Sequence, residues 1–174
     1  MVKVIFRPYG YGVHDLLHAE GFAPKLCGHS ERPEIGADAV VMEYLPPPND
    51  DKPGWETLHD LFSHSFTRQL VVRERVGIRD KLLEIVSLLQ KLHMIHGDFR
   101  PSNLMIKVTA NCAGLVQPVR VMVVDMEWAG KVGEAYYPLD RNETVGYPGK
   151  ASCRIGADDD VYMVNRWWDE INNA

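Results

Sequence analysis

Between Leu70 and His93, apolar residues recur at three- and four-residue steps: Ile78, Leu82, Ile85, Leu89 and Leu92. Leu83, Val86 and Leu88 widen the stripe. Such spacing places them along one broad side of a helix. A stripe this wide must be covered by more than one neighbouring element, so the spacing predicts a central helix with the rest of the chain packed around it.

The strongest break lies upstream, in Pro46-Pro47-Pro48-Asn49-Asp50-Asp51-Lys52-Pro53-Gly54. Proline fixes φ and donates no backbone hydrogen bond, so this stretch reads as a loop. It separates a short part, residues 1–45, from a longer and more helical part, residues 46–174. In the first part, Val2–Phe6 reads as a strand, His14–Glu20 as a short helix, and Ala37–Leu45 as a buried strand. Lys25–His29 is its expected hairpin partner, across a polar turn at Ser30–Gly36. In the second part, a helix is expected over Trp55–His64, ahead of the central one. Leu104–Val108 and Val119–Val124 read as an antiparallel hairpin around a Gly/Asn/Pro-containing turn. An irregular glycine-bearing segment follows over Ala129–Ala157, and a last helix starts near Asp158 and carries Trp167 and Trp168. The expected fold class is α+β.

Composition narrows the function. The 174 residues carry 19 Lys and Arg against 24 Asp and Glu, a net charge of −5. That sign gives no large basic footprint for nucleic acid or an anionic membrane surface. No apolar run is long enough to span a bilayer. Cys27, Cys112 and Cys153 are odd in number and widely spaced. They form neither a disulfide framework nor a zinc-ligand pattern, which points to a reducing, cytoplasmic setting.

Chemistry concentrates directly after the central helix. There the sequence runs His96-Gly97-Asp98-Phe99-Arg100-Pro101-Ser102-Asn103, then the hairpin, then Val123-Val124-Asp125. A carboxylate and an amide five residues apart on one loop can face a common cleft, and a second carboxylate at the hairpin's end can join them. Phosphoryl transfer uses such parts: one carboxylate takes the proton of the attacking hydroxyl, while an amide and another carboxylate hold Mg²⁺ on the phosphates.

In these residues the chain resembles the protein-kinase-like superfamily, in particular its aminoglycoside-phosphotransferase-like and fungal protein-kinase-like branch. Its H-G-D-F-R-P-S-N is similar to the catalytic loop H-R-D-x-x-x-x-N, in the glycine form of the small-molecule kinases. The resemblance implies Asp98 as catalytic base, Arg100 as the cation on the transferring phosphoryl group, and Asn103 and Asp125 as Mg²⁺ ligands. His96 is implied to pack the loop and Asp160 to hold its backbone. Asp125-Met126-Glu127-Trp128-Ala129-Gly130 resembles the fungal D-x-[DE]-W-A-G, in which Glu127 adds a second metal-facing carboxylate. Val40-Val41-Met42-Glu43-Tyr44-Leu45 resembles the hinge strand, so Met42 would back the adenine pocket and Glu43, Tyr44 and Leu45 would offer backbone groups to adenine. Lys3 is then the lysine on the α and β phosphates, with Glu20 a candidate partner. ATP and Mg²⁺ are the implied cofactors, and the implied acceptor is a hydroxyl of a protein Ser/Thr or of a small molecule.

The implied architecture is a kinase-like fold: a remnant of the small β lobe plus a mostly helical second lobe. Against the family pattern, no glycine-rich lid precedes the lysine strand. A catalytically silent, pseudokinase-like binding or scaffold module, or a truncated kinase fragment, is therefore the alternative expectation.

Overall fold

In the computed structural model, residues 1–32, 36–49, 52, 54–63, 65–107 and 119–172 are described. The first lobe is a three-stranded antiparallel sheet of β1 (Val2–Ile5), β2 (Leu26–Arg32) and β3 (Ala37–Met42), in the order β1-β3-β2. Lys3 pairs with Val40, and Ala39 pairs with Val4 on one side and Ser30 on the other. The expected turn between β2 and β3 includes residues 33–35, which lie outside the described residues. Strand β3 ends at Met42, three residues earlier than expected, where the bond pattern is completed by Met42 N–H to the Met1 carbonyl at 2.9 Å.

Helix α1 (Tyr11–Ala19) follows β1. It begins three residues before its expected start, because Gly10 opens it. Gly10 N–H donates to Met126 O at 2.9 Å, and a Cβ there would lie 2.7 Å from that of Ala129. His14 is buried at the centre of α1. Its Nε2 lies 2.7 Å from the Pro24 carbonyl, which can only accept, so Nε2 carries the proton and Nδ1 accepts from Tyr9 Oη at 2.7 Å.

The second lobe is built on α3 (Ser65–Lys91). Ile78, Leu82, Ile85, Val86 and Leu89 are buried, as the periodicity predicts. Leu92 is half exposed, because the helix closes with tight turns at Leu92 and His93, and His93 takes a left-handed φ of 52°. Ahead of α3, the expected single helix is split. Glu56–Thr57 form a short strand, β4, and only Leu58–Ser63 are helical, as α2. Thr57 Oγ1 accepts from Asp60 N–H at 3.0 Å, a side-chain cap that starts the helix after the strand. His64 lies outside the described residues.

After α3 comes β5 (Met94–Ile95), then the loop, and a single 3₁₀ turn over Pro101–Asn103. Strands β6 (Leu104–Lys107) and β7 (Arg120–Val123) pair antiparallel, Leu104 opposite Val123, and β4 extends the sheet on the other edge of β6. The turn joining β6 to β7, including Val108 and Cys112, lies outside the described residues. A two-residue strand β8 (Gly130–Lys131) pairs with β5. The last helix, α4 (Asp159–Asn172), sends Trp167 into the core, where its indole N–H donates to the Phe99 carbonyl at 3.2 Å.

The bond that positions the loop comes from the start of α4. Asp160 is buried, with Oδ2 accepting from His96 N–H at 2.8 Å and Oδ1 from Gly97 N–H at 2.9 Å. Burial raises the carboxyl's pKa, opposed by His96 and the two backbone N–H groups. Gly97 has φ +81°, and a Cβ on it would lie 2.6 Å from Ile155 Cδ1 and 3.1 Å from the Trp128 carbonyl. Glycine at this position is a backbone requirement.

Two outcomes follow from this packing. Asn at position 160 keeps only one acceptor oxygen and strands one loop N–H, so Asp160→Asn should lower unfolding free energy in urea by about 1–3 kcal/mol; an unchanged midpoint would refute the clamp. Burial also depresses the pKa of His14. The unfolded chain therefore takes up the proton first as pH drops below about 6.5. The stability held above that pH should decline on acidification from pH 7.5 to 5.5, and His14→Gln should flatten the slope in that window.

Candidate active site

Two groups of side chains meet at the join of the lobes. The first belongs to the loop. Asp98 is almost fully buried, 3% exposed. Its Oδ2 accepts from Asn103 Nδ2 at 2.8 Å and faces Arg100 Nη2 at 3.2 Å. Asn103 Nδ2 also donates to the Asp98 carbonyl at 3.0 Å. The 3₁₀ turn at Pro101–Asn103 makes this possible by folding residue 103 back over residue 98. With its amide nitrogen engaged by Asp98, Asn103 has its carbonyl oxygen as the atom with which it can ligate a cation. His96 is buried under the loop, with Nδ1 3.2 Å from Asp98 N–H and Nε2 3.1 Å from the Val124 carbonyl.

The second group links the lobes. Lys3 of β1 places Nζ 2.6 Å from Asp125 Oδ1 and 2.5 Å from Glu127 Oε1. Burial alone would lower the ammonium pKa, but the two carboxylates outweigh it and raise it. Asp125 sits at φ 71°, a left-handed turn immediately after β7 that redirects the chain. Asn103 and the residue before Asp125 are tied directly, Val124 N–H donating to the Asn103 carbonyl at 3.0 Å. The two groups are therefore joined through the backbone at the β6–β7 end. Oxygen donors from a carboxylate and an amide suit a hard divalent cation such as Mg²⁺, which takes one or two protein ligands and leaves the rest to phosphates and water. Among the described residues, no group of three or more His, Cys, Asp or Glu forms a metal cage.

Residues 42–45 lead from β3 into the proline-rich stretch. Met42 is buried, and its carbonyl accepts from the Met1 amine at 2.7 Å. Glu43 N–H donates to the Lys25 carbonyl at 2.8 Å, and Glu43 Oε2 accepts from Lys25 N–H at 3.2 Å. The Glu43 N–H is thus already engaged; Tyr44 is exposed and Leu45 half-buried.

Three features escaped sequence reasoning. Glu20, a candidate partner for Lys3, caps the exposed end of α1, while Glu127 fills that role. Tyr147 donates its hydroxyl to Asp98 Oδ1 at 2.6 Å, so both oxygens of Asp98 are engaged. Burial and the Asp98 carboxylate push the phenol pKa well above its ordinary value. Arg141 stacks on both Tyr137 and Tyr147, 4.7 and 5.2 Å from the ring centroids. Residues 129–157 carry no periodicity that could have signalled these contacts. The one local hint is Gly146 beside Tyr147, which takes φ +68° at the end of a 3₁₀ turn.

Two cavities flank the site. One, of about 530 Å³, opens beside Glu127 and includes Arg7, Lys131 and Glu134. The other, of about 360 Å³, includes Arg100 and the turn at Thr144–Val145. Asp98 itself lines neither.

No family model matches the chain, and no curated protein matches it in sequence. Solved structures do match it in shape. The Rio2 kinase from Chaetomium thermophilum, solved as an ADP/Mg²⁺-phosphoaspartate complex, superposes with a TM-score of 0.58 at 16% identity over 95% of this chain. The kinase PK-1 of the Cydia pomonella granulovirus superposes with a TM-score of 0.55 at 16% identity over 98% of this chain. The chain spans 38% and 58% of the lengths of those two proteins. Its small antiparallel sheet, long helix and loop-bearing helical lobe make up a protein-kinase-like α+β fold.

Proposed function

We infer that the chain is a phosphotransferase that moves the γ-phosphoryl group of ATP to a hydroxyl, on a protein Ser/Thr or a small molecule. The observation that carries this reading is the meeting of Lys3 with Asp125 across 122 residues of sequence, at 2.6 Å, beside a loop that joins Asp98, Arg100 and Asn103. A cation for phosphates, an oxygen pair for a metal, and a carboxylate for a proton are the parts the reaction needs.

In this reading, Lys3 exchanges Asp125 for the non-transferred phosphates, and Glu127 keeps the ammonium aimed. Asn103 and Asp125 would hold Mg²⁺, which when bound would neutralise charge on the phosphate oxygens. Arg100 faces the transferring group. The acceptor oxygen attacks the γ-phosphorus, its proton passes to a carboxylate oxygen of Asp98, and ADP leaves with the electrons of the broken P–O bond. The Tyr147 hydroxyl occupies one of the two acceptor positions of Asp98 Oδ1, beside which an acceptor hydroxyl would have to fit. Backbone groups over Glu43, Tyr44 and Leu45 would receive adenine, with Met42 behind them.

The full engagement of Asp98 also favours a second reading, a module that binds nucleotide without transferring phosphate. Both readings expect Mg-ATP to raise the melting temperature by linkage, by an amount that grows with its concentration. Asp125→Ala should remove the metal-dependent part of that rise. No rise at millimolar Mg-ATP would end both readings. Asp98→Asn separates them. In a transferase it should cut phosphate transfer by about 10²–10⁴-fold while leaving the thermal shift in place, whereas a wild type with a thermal shift and no transfer is the binding module.

A further inference from the structure

The cavity of about 360 Å³ lies between the loop turn at Arg100 and Ser102, the turn at Thr144, the helix α2 at His59, and α4 at Arg166 and Trp167. Its charge is one-sided. Two guanidinium groups and an imidazole line it together with two hydroxyls, and no carboxylate lines it among the described residues. The chain as a whole is acidic, at −5, so the cavity runs against the average of its own surface.

Arg100 is the link to the chemistry. Its Nη2 faces Asp98 Oδ2 at 3.2 Å, while its Nε is buried and has no hydrogen-bond partner among the described residues. A buried donor without a partner is costly. Arg166 is held in place by donating Nη1 to the Gly146 carbonyl, next to Tyr147. The side chain that touches the base and the side chain that steadies the tyrosine over it therefore both line this cavity. Its volume suits one small group, such as an acidic side chain or a phosphoryl group with a few atoms attached. Arginine recognises both through paired, charge-assisted hydrogen bonds.

We propose that this cavity is the acceptor subsite, and that it takes an anionic group, a carboxylate or a phosphate, carried by the molecule whose hydroxyl reaches Asp98. The assignment deepens the phosphotransferase reading and rests on it. An anion held here is linked to the base through the Arg100 side chain, which touches Asp98, and a neutral or basic acceptor finds no counter-charge.

Calorimetric titration of the full chain tests this with two pairs of ligands. One pair is glycerol 3-phosphate against glycerol; the other is a serine peptide flanked by glutamates against the same peptide flanked by lysines. At least one anionic member should bind 10-fold or more tightly than its counterpart, and more weakly as salt rises. Preference in the first pair marks a small-molecule acceptor, and preference in the second marks a protein. Ser102→Glu, at an exposed position, and His59→Glu should each abolish the preference while the Mg-ATP thermal shift persists. Equal affinities within both pairs, or a preference that survives both substitutions, would overturn the proposal. A charge preference without any Mg-ATP shift would keep the anion site and remove the phosphotransferase reading; the reverse result removes only the anion site.

Discussion

One carboxylate holds the candidate site in shape. Asp160 begins the last helix and reaches up to the backbone N–H groups of His96 and Gly97, so the loop that carries Asp98 is tied to the interior by a side chain some sixty residues away. The loop cannot use ordinary strand or helix bonds there, because it must turn sharply at Gly97 with a left-handed φ. Buried N–H groups need acceptors, and a single carboxylate serves two of them. The Trp167 indole supports the same loop at the Phe99 carbonyl. Support is thus concentrated beneath the candidate site, which is where positioning would matter most for the proposed reaction.

Above that base, the electrostatics are arranged in opposed pairs. Lys3 balances two carboxylates, Asp125 and Glu127, and Arg100 faces Asp98. The two Lys3 pairs are partly exposed on both sides, so they add little to stability, whereas Arg100 faces a buried carboxylate. In the proposed reaction, each cation would exchange a carboxylate for a phosphate. Lys3 stands on β1 of the small sheet and its partners follow β7, so this exchange also bears on how the two lobes are joined.

Much of this was legible in the sequence, and the reasons differ by element. The buried face of α3 at Ile78, Leu82, Ile85 and Leu89 is a repeating pattern, and periodicity reads it directly. The β6–β7 pairing follows from two apolar runs flanking a turn. The β5–β8 ladder was not legible, because two residues per strand carry no period. The β4 strand was hidden inside a helical pattern, since its pairing with β6 is a tertiary choice that overrides local preference. In the site, Asp98 and Asn103 stood out through their spacing on one loop, and Asp160 only through the family resemblance. Glu127 as the partner of Lys3, and Tyr147 over Asp98, are contacts between distant segments, one of them irregular, and short-range pattern does not encode them.

The central claim is that Lys3, Asn103 and Asp125 form one nucleotide-metal site. The most direct measurement is a crystal structure of the chain with Mn²⁺ and a non-hydrolysable ATP analogue. The account predicts manganese on an Asp125 carboxylate oxygen and the Asn103 side-chain oxygen, with Lys3 Nζ moved from Asp125 to the phosphates. A nucleotide bound elsewhere, or a metal that leaves the Lys3–Asp125 pair closed and Asn103 untouched, would contradict it.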